Sequence, residues 1–210
     1  METHFIDIHT HRIREEAVEL YSVRIGSGEA VPPHVKISAG IHPWDVEKAD
    51  DSWLTEIRSL NPAAIGETGL DFAAGTDRTL QREWFVRQVD LAEQMGVPVI
   101  IHCVRAYNEL SGLMRGRKIP AVVHGFNGSG QLAAQLLREG FYLSFGEGVS
   151  RSPKTADALK SVPAERLFLE TDQSPLGIDE IYGMAAVVRQ CTLDTLKAAI
   201  QDNYDKIFSR

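Results

Sequence analysis

The stretch FIDIHTH, residues 5–11, joins a short apolar run to a polar end that carries two histidines. Alternate side chains of a β-strand point to the same face of a sheet. His9 and His11 would therefore lie side by side where this strand ends. The pattern predicts a buried strand that delivers two imidazole groups to one position.

Seven further runs of apolar and β-branched residues follow along the chain. Short apolar runs bounded by turn residues are typical of buried strands. The eight predicted strands cover residues 5–9, 19–25, 35–40, 63–67, 98–102, 121–124, 141–145 and 167–170.

Most of the stretches between these strands have apolar residues at helical spacing and capping residues at their ends. The predicted helices cover residues 50–60, 76–96, 108–116, 130–140, 155–162 and 193–208. Strands that alternate with helices favour a parallel sheet, and eight of them favour a TIM-type (β/α) barrel of the α/β class. We expect one domain over residues 1–210.

The first two β-α units are too short for full crossover helices, which parallel strands normally need. Residues 12–18 would form one short helix, and residues 26–34 read as a loop. We therefore expect a barrel that is trimmed or distorted in this region. The lengths also leave open a second strand that is reversed or displaced.

The composition is that of an ordinary globular domain, with 43% hydrophobic and 24% charged residues. The net charge of −7 argues against a protein that coats nucleic acid through a broad basic face. It still allows a small cleft for a strand end, where bound metal ions would supply positive charge. The sequence contains no signal-peptide pattern, no membrane-length apolar run and only two cysteines. We therefore expect a cytoplasmic protein with no membrane partner.

Most of the apolar strands end in side chains that can bind a metal ion. Because parallel barrel strands all end on one face, these dispersed residues are expected to converge there. The predicted ligands are His9, His11, Glu67, His102, His124 and Asp172.

Each of these residues alone also has an ordinary structural interpretation. A single histidine is often a satisfied interior group, Glu67 could belong to a turn, and Asp172 could cap the next segment. Their coincidence at five strand ends favours ligands. Four imidazoles and two carboxylates suit two divalent ions roughly 3.5–4 Å apart. Such ligands favour zinc or manganese over magnesium.

At these same residues the sequence resembles the TatD family of metal-dependent deoxyribonucleases, within the amidohydrolase superfamily. The resemblance extends over residues 4–208, and its motifs occur in the family's order. They are FIDIHTH at 5–11, GIHP at 40–43, GETGLD at 66–71, PVIIHC at 98–103, HGFNGS at 124–129 and LETD at 169–172, with Pro175, Asn203 and Phe208 after them.

The resemblance implies a role for each ligand. The two histidines of the first motif, with Glu67 and Asp172, would hold one ion, and His102 with His124 would hold the second. Glu67 would bridge the two ions. Asp172 would orient the attacking water and take its proton, so Asp172 and Glu67 are the expected catalytic residues.

Other residues are candidates for substrate contact or support. His42 could reach the pocket or hydrogen-bond a loop, and Trp44 could stack on a base or pack as a lid. Arg105 resembles the family's arginine after the fifth strand, one place later, and would hold a substrate phosphate. Asp71 is expected to orient a ligand histidine, and Cys103 is expected to pack in the core.

The favoured function is a deoxyribonuclease that cleaves phosphodiester bonds with a metal-activated water, acting on a nucleic-acid strand end such as single-stranded DNA. The alternative is a small-molecule amidohydrolase or esterase that uses the same two-metal site on a phosphoester or amide. A metal-holding scaffold without activity is the third and least supported hypothesis.

Overall fold

A computed structural model describes residues 4–14 and 17–208, in which three strands are followed by helices that alternate with the remaining strands. The strands are β1 (Phe5–Thr10), β2 (Ala17–Arg24), β3 (Lys36–Gly40), β4 (Ala64–Asp71), β5 (Val99–Val104), β6 (Ala121–Val123), β7 (Tyr142–Phe145) and β8 (Leu167–Leu169). The helices are α1 (Asp51–Leu60), α2 (Arg78–Met95), α3 (Tyr107–Met114), α4 (Gly130–Arg138), α5 (Gly148–Arg151), α6 (Pro153–Ser161), α7 (Ile178–Arg189) and α8 (Leu193–Phe208), with a short 3-10 helix at Ala164–Arg166.

The eight strands follow one another in the sheet in their chain order, and the registered pairs are parallel. This is the α/β TIM-type barrel that the sequence predicts, so the predicted fold class is confirmed. The predicted strands and helices match the observed ones to within a few residues, apart from the differences described below.

The chain divides into two compact units, Ser22–Val122 and the combination of Met1–Tyr21 with Val123–Arg210. The first, which we call the central unit, contains β3, β4 and β5 with α1, α2 and α3. The second, which we call the terminal unit, contains β1, β7 and β8 with α4 to α8. Apolar strand residues form the core of each unit, for example Ile65 and Ile100 in the central unit and Ile8 and Phe168 in the terminal unit.

The barrel is trimmed after β1, as the sequence predicts, but the second strand is neither reversed nor displaced. Phe5 is in register with Ala17, and the β1–β2 pair is parallel. The helix expected over residues 12–18 is wrong, since residues 17 and 18 belong to β2 and residues 12–14 are not helical. Residues 15 and 16 lie outside the described part.

Helix α7 was not anticipated from the sequence, although a signal for it exists. Its buried residues Ile178, Ile181, Tyr182 and Ala185 have the spacing of one helical face. The Tyr182 hydroxyl is 3.2 Å from both the backbone nitrogen and the oxygen of Ile6. Helix α7 is therefore attached to β1, the strand that carries the first histidine pair.

Strands β4 and β5 of the central unit approach each other unusually closely. A side chain at Gly69 would place its Cβ 1.9 Å from the backbone oxygen of His102. At Gly66 the same atom would lie 2.5 Å from the oxygen of Ile100. Both glycines also have positive φ angles, 148° and 157°, which other residues rarely adopt. Only glycine fits at these two positions, which flank Glu67.

Gly69→Ala is therefore expected to destabilise the protein by roughly 2–3 kcal/mol or more, because it adds a clash to backbone strain. The matched control is Gly112→Ala in α3, where a Cβ would meet nothing within 4 Å. That change is expected to stabilise the protein by roughly 0.5–1 kcal/mol, since alanine favours a helix interior. Urea denaturation of the two variants measures both values. Equal stabilities would contradict the proposed close approach.

Candidate metal centre

Three side chains from consecutive strands or the residues just after them meet in the central unit. Glu67 Oε1 lies 2.8 Å from His102 Nδ1 and 3.2 Å from His42 Nε2. His42 follows β3, Glu67 lies in β4 and His102 lies in β5, so the parallel strands bring the three groups together. The rings of His42 and His102 are 4.7 Å apart. We call these three residues the central cluster.

The spacing of the central cluster fits a metal ion. The ligands of a tetrahedral ion with bonds of about 2.0–2.1 Å lie about 3.3 Å from one another. The two distances to Glu67 lie near this value, and the candidate ligand atoms of all three residues lie within 4.8 Å of one another. Imidazole and carboxylate donors suit zinc or manganese.

A hydrogen-bonded carboxylate supports His102 from its other side. Asp71 Oδ2 lies 3.2 Å from His102 Nε2 and accepts a hydrogen bond of 2.7 Å from Trp44 Nε1. Burial acts to raise the pKa of Asp71, but hydrogen bonds from Trp44 and His102 outweigh it and the pKa is lowered. Asp71 is therefore ionised and able to orient the imidazole, which agrees with the role expected from the sequence.

Burial lowers the pKa of His42, although the neighbouring Glu67 carboxylate acts in the opposite direction. A lowered pKa favours the neutral imidazole, which is the form that binds a metal ion. The sequence suggests His42 as a substrate contact or as a residue that hydrogen-bonds a loop. The structure places it with Glu67 and His102, at a strand end like the predicted ligands. The rule that found those ligands could therefore have found His42 as well.

A second cluster lies in the terminal unit, where β1 meets the end of β8. Asp172 Oδ1 lies 3.6 Å from His9 Nε2 and 3.5 Å from His11 Nε2. The backbone fixes this arrangement, because Asp172 N donates to His9 O at 2.9 Å and His11 N donates to Asp172 O at 3.3 Å. We call these three residues the terminal cluster. Its spacing also fits an ion with short bonds to nitrogen and oxygen.

A buried acid holds the two strands of the terminal cluster together. Asp7 accepts hydrogen bonds from the Thr171 backbone nitrogen at 3.0 Å and from its hydroxyl at 2.6 Å. The Thr171 hydroxyl is also 2.9 Å from that of Thr10. Burial raises the pKa of Asp7 to about 7, against the lowering effect of these hydrogen bonds. Asp7 thereby fixes the chain on either side of the cluster.

His124 lies beside the terminal cluster, with its ring centroid 4.1 Å from that of His9. Buried Glu170 is 3.4 Å from His124 Nδ1 and accepts a hydrogen bond of 2.7 Å from Gly125 N. Glu170 thus anchors the turn that carries His124. The shared ion of His102 and His124, and the bridging role of Glu67, stay predictions.

The remaining sequence candidates have different environments. Arg105 is exposed in the turn after β5, and its contact with substrate stays a prediction. Trp44 is half exposed. Cys103 is buried as expected for a core residue, and burial raises the pKa of its thiol to about 12.

A cavity of about 460 Å³ in the terminal unit opens beside Asp172. The Asp172 side chain is 44% exposed, in contrast to the fully buried His9. Polar side chains line the cavity, among them Asn127, Arg151 and Gln173. A substrate in this cavity would therefore lie against a candidate metal ligand.

None of the helices in residues 4–14 and 17–208 has the length and apolar character needed to cross a bilayer.

Comparisons with known proteins identify the family. A family model described as TatD related DNase matches residues 18–209. The 3'-5' ssDNA/RNA exonuclease TatD of Edwardsiella piscicida is 30% identical over 208 residues, which cover 86% of this chain and 80% of that protein. The uncharacterized metal-dependent hydrolase YabD of Bacillus subtilis is 26% identical over 192 residues, which cover 80% and 75% of the two chains.

Solved structures of two other proteins have a similar fold. The crystal structure of YjjV, a TatD homologue from Escherichia coli K12, has a TM-score of 0.84 and 25% identity, and the match covers 98% of each chain. A TatD family hydrolase from Entamoeba histolytica has a TM-score of 0.80 at 18% identity, which supports the fold alone.

Metal addition to chelator-treated protein is expected to raise its melting temperature. Zinc or manganese at about 100 times the Kd would add about 2.7 kcal/mol to the free energy of unfolding.

His42→Ala should weaken metal binding by at least about tenfold because the central cluster loses a ligand. The control is His4→Ala, at an exposed histidine that belongs to neither cluster. Calorimetric titration that gives equal affinities for the two variants would exclude His42 as a ligand.

Proposed function

Because the chain belongs to the TatD-related DNase family of metal-dependent hydrolases, we propose that it removes nucleotides from an end of single-stranded DNA. One observation carries the proposal. The Asp172 carboxylate lies 3.5–3.6 Å from two histidines and also borders an open cavity. A group that combines a ligand position with access to substrate is what hydrolysis at a metal centre requires.

The proposal includes two divalent ions, with zinc or manganese favoured over magnesium. The terminal cluster would hold one ion and the central cluster the other, since each offers two imidazoles and one carboxylate. When bound, such ions lower the pKa of a coordinated water and stabilise negative charge on a phosphate. The donor sets of both clusters fit this chemistry.

Asp172 is the proposed catalytic residue for proton transfer. Its partly exposed carboxylate can orient an attacking water and accept its proton, because the side chain reaches the cavity while its backbone is fixed. Glu67 is 11% exposed in its side chain and lies between two imidazoles. Its proposed role is therefore to bind metal rather than to move protons.

The cavity beside Asp172 supplies groups suited to a phosphate ester. Arg151 lines it and forms an ion pair with Glu147, which also accepts a hydrogen bond of 2.9 Å from Ser174 Oγ. The Arg151 guanidinium is largely exposed, so a substrate phosphate could compete for it. The amides of Asn127 and Gln173 add neutral hydrogen-bonding groups.

A small phosphoester or amide is the second candidate substrate. The volume of the cavity, about 460 Å³, lies within the usual range of roughly 300–1,000 Å³ for small-molecule sites. The same catalytic groups would serve either reaction. We also propose a cytoplasmic location, since the two free cysteines are compatible with a reducing compartment.

Asp172→Asn is expected to lower kcat for nucleotide release by about 10²–10⁴-fold, because an amide cannot accept the proton of the water. Labelled single-stranded DNA with zinc, manganese or magnesium provides the assay. Asp157→Asn is the matched control, since this carboxylate of α6 is exposed and contacts only Lys160 among the described ion pairs. It should leave the rate unchanged.

Failure of the wild-type protein to release nucleotides with any of the three metals would contradict the nuclease proposal. Hydrolysis of a chromogenic phosphoester or amide by the same preparation, lost in Asp172→Asn, would then support the second candidate.

A further inference from the structure

Trp44 of the central unit is a large apolar side chain that is fixed although it is not buried. It is 50% exposed, while its indole Nε1 donates to Asp71 at 2.7 Å and its backbone nitrogen donates to His42 Nδ1 at 3.2 Å. An exposed indole usually gains little from a single orientation. This one is held in place by a buried acid that also contacts His102.

The groups around the indole suit a nucleotide. The Arg24 guanidinium carbon lies 5.5 Å from the ring centroid of Trp44. The Nε atom of the same side chain forms an ion pair with Asp45. The His42 ring meets the indole edge-on, with centroids 4.6 Å apart. An aromatic face beside a guanidinium and metal-ligating groups combines the recognition of a base with that of a phosphate.

The space beside the indole is open. A cavity of about 490 Å³ is lined by Trp44, Glu47, Asp71 and residues 73–76. Its wall at residues 73–75 consists of two alanines and a glycine, and a Cβ at Gly75 would meet nothing within 4 Å. Small side chains in the cavity that the indole lines leave room for a flat ring.

We propose that Trp44 is a stacking platform for a nucleobase of the substrate strand, an inference that rests on the proposed nuclease function. The ring centroids of Trp44 and His102 are 6.2 Å apart, so the stacked base would belong to a nucleotide next to the central cluster. Stacking on an indole is tolerant of base identity, because every base has an aromatic face. The platform therefore requires a base without selecting one.

The test compares Trp44→Phe with Trp44→Leu. Both variants lose the hydrogen bond to Asp71, so the difference between them isolates the aromatic face. Each is assayed for manganese-dependent cleavage of an oligodeoxynucleotide and of the same strand with one abasic residue at each position near the cleaved end in turn. Val187→Ala, at an exposed apolar residue of α7, is the control.

For the intact strand, Trp44→Leu should raise KM by about tenfold relative to Trp44→Phe, because leucine has no aromatic face on which a base can stack. For the strand that is abasic at the platform position, the two variants should have equal KM values. The control should match the wild type on every strand.

Equal KM values for Trp44→Phe and Trp44→Leu on the intact strand would overturn the proposal and indicate that Trp44 acts as a lid or through Asp71 alone. Absence of cleavage by the wild type would instead reject the nuclease function on which the proposal rests. Quenching of the Trp44 fluorescence by nucleoside monophosphates, absent in Trp44→Leu and absent with deoxyribose phosphate, is expected as well. Equal quenching by deoxyribose phosphate would also contradict base stacking.

Discussion

The central cluster depends on the absence of side chains between β4 and β5. Glu67 can lie 2.8 Å from His102 because Gly66 and Gly69 allow the two backbones to approach within a distance that any Cβ would prevent. The carboxylate and the imidazole are thus held by the strands that carry them, and not by mobile loops. Rigid elements of this kind can keep a ligand set in place before a metal binds.

Buried acidic residues also hold several of the candidate ligands in position. Asp71 contacts His102, Glu170 contacts His124, and Asp7 joins Thr171 to the strand that contains His9. Each acid lies beside a ligand or its strand. Supporting groups of this type commonly orient ligands and adjust their basicity. They explain why charged residues occupy core positions in an otherwise apolar sheet.

The sequence predicts the structure well where the apolar pattern of a strand ends in a side chain that can bind a metal ion. Apolar runs ending in His9, Glu67, His102, His124 and Asp172 located the strands and their polar ends, because a parallel sheet places all such ends alike. The family, the fold class and the trimmed start were also predictable.

Other features depend on tertiary contacts that a single sequence does not display. The strand-end rule could suggest His42 as a ligand, but its distance to Glu67 depends on a neighbouring strand and could not be read from the GIHP motif alone. The parallel direction of β2 is given by its pairing with β1, whereas the length of the connection between them also permits other arrangements. The fixed orientation of Trp44 likewise depends on Asp71, 27 residues further along the chain.

The attachment of α7 to β1 has a consequence for how the protein forms during synthesis. Strand β1 is made before α7, and its Ile6 backbone groups contact Tyr182, which emerges from the ribosome 176 residues later. Lys197 of α8 also lies over the ring of Phe5, 4.4 Å from its centroid. Contacts between such distant residues slow folding, because a long loop must close before they form. His9 in β1 therefore reaches its final surroundings only after α7 and α8 have been made.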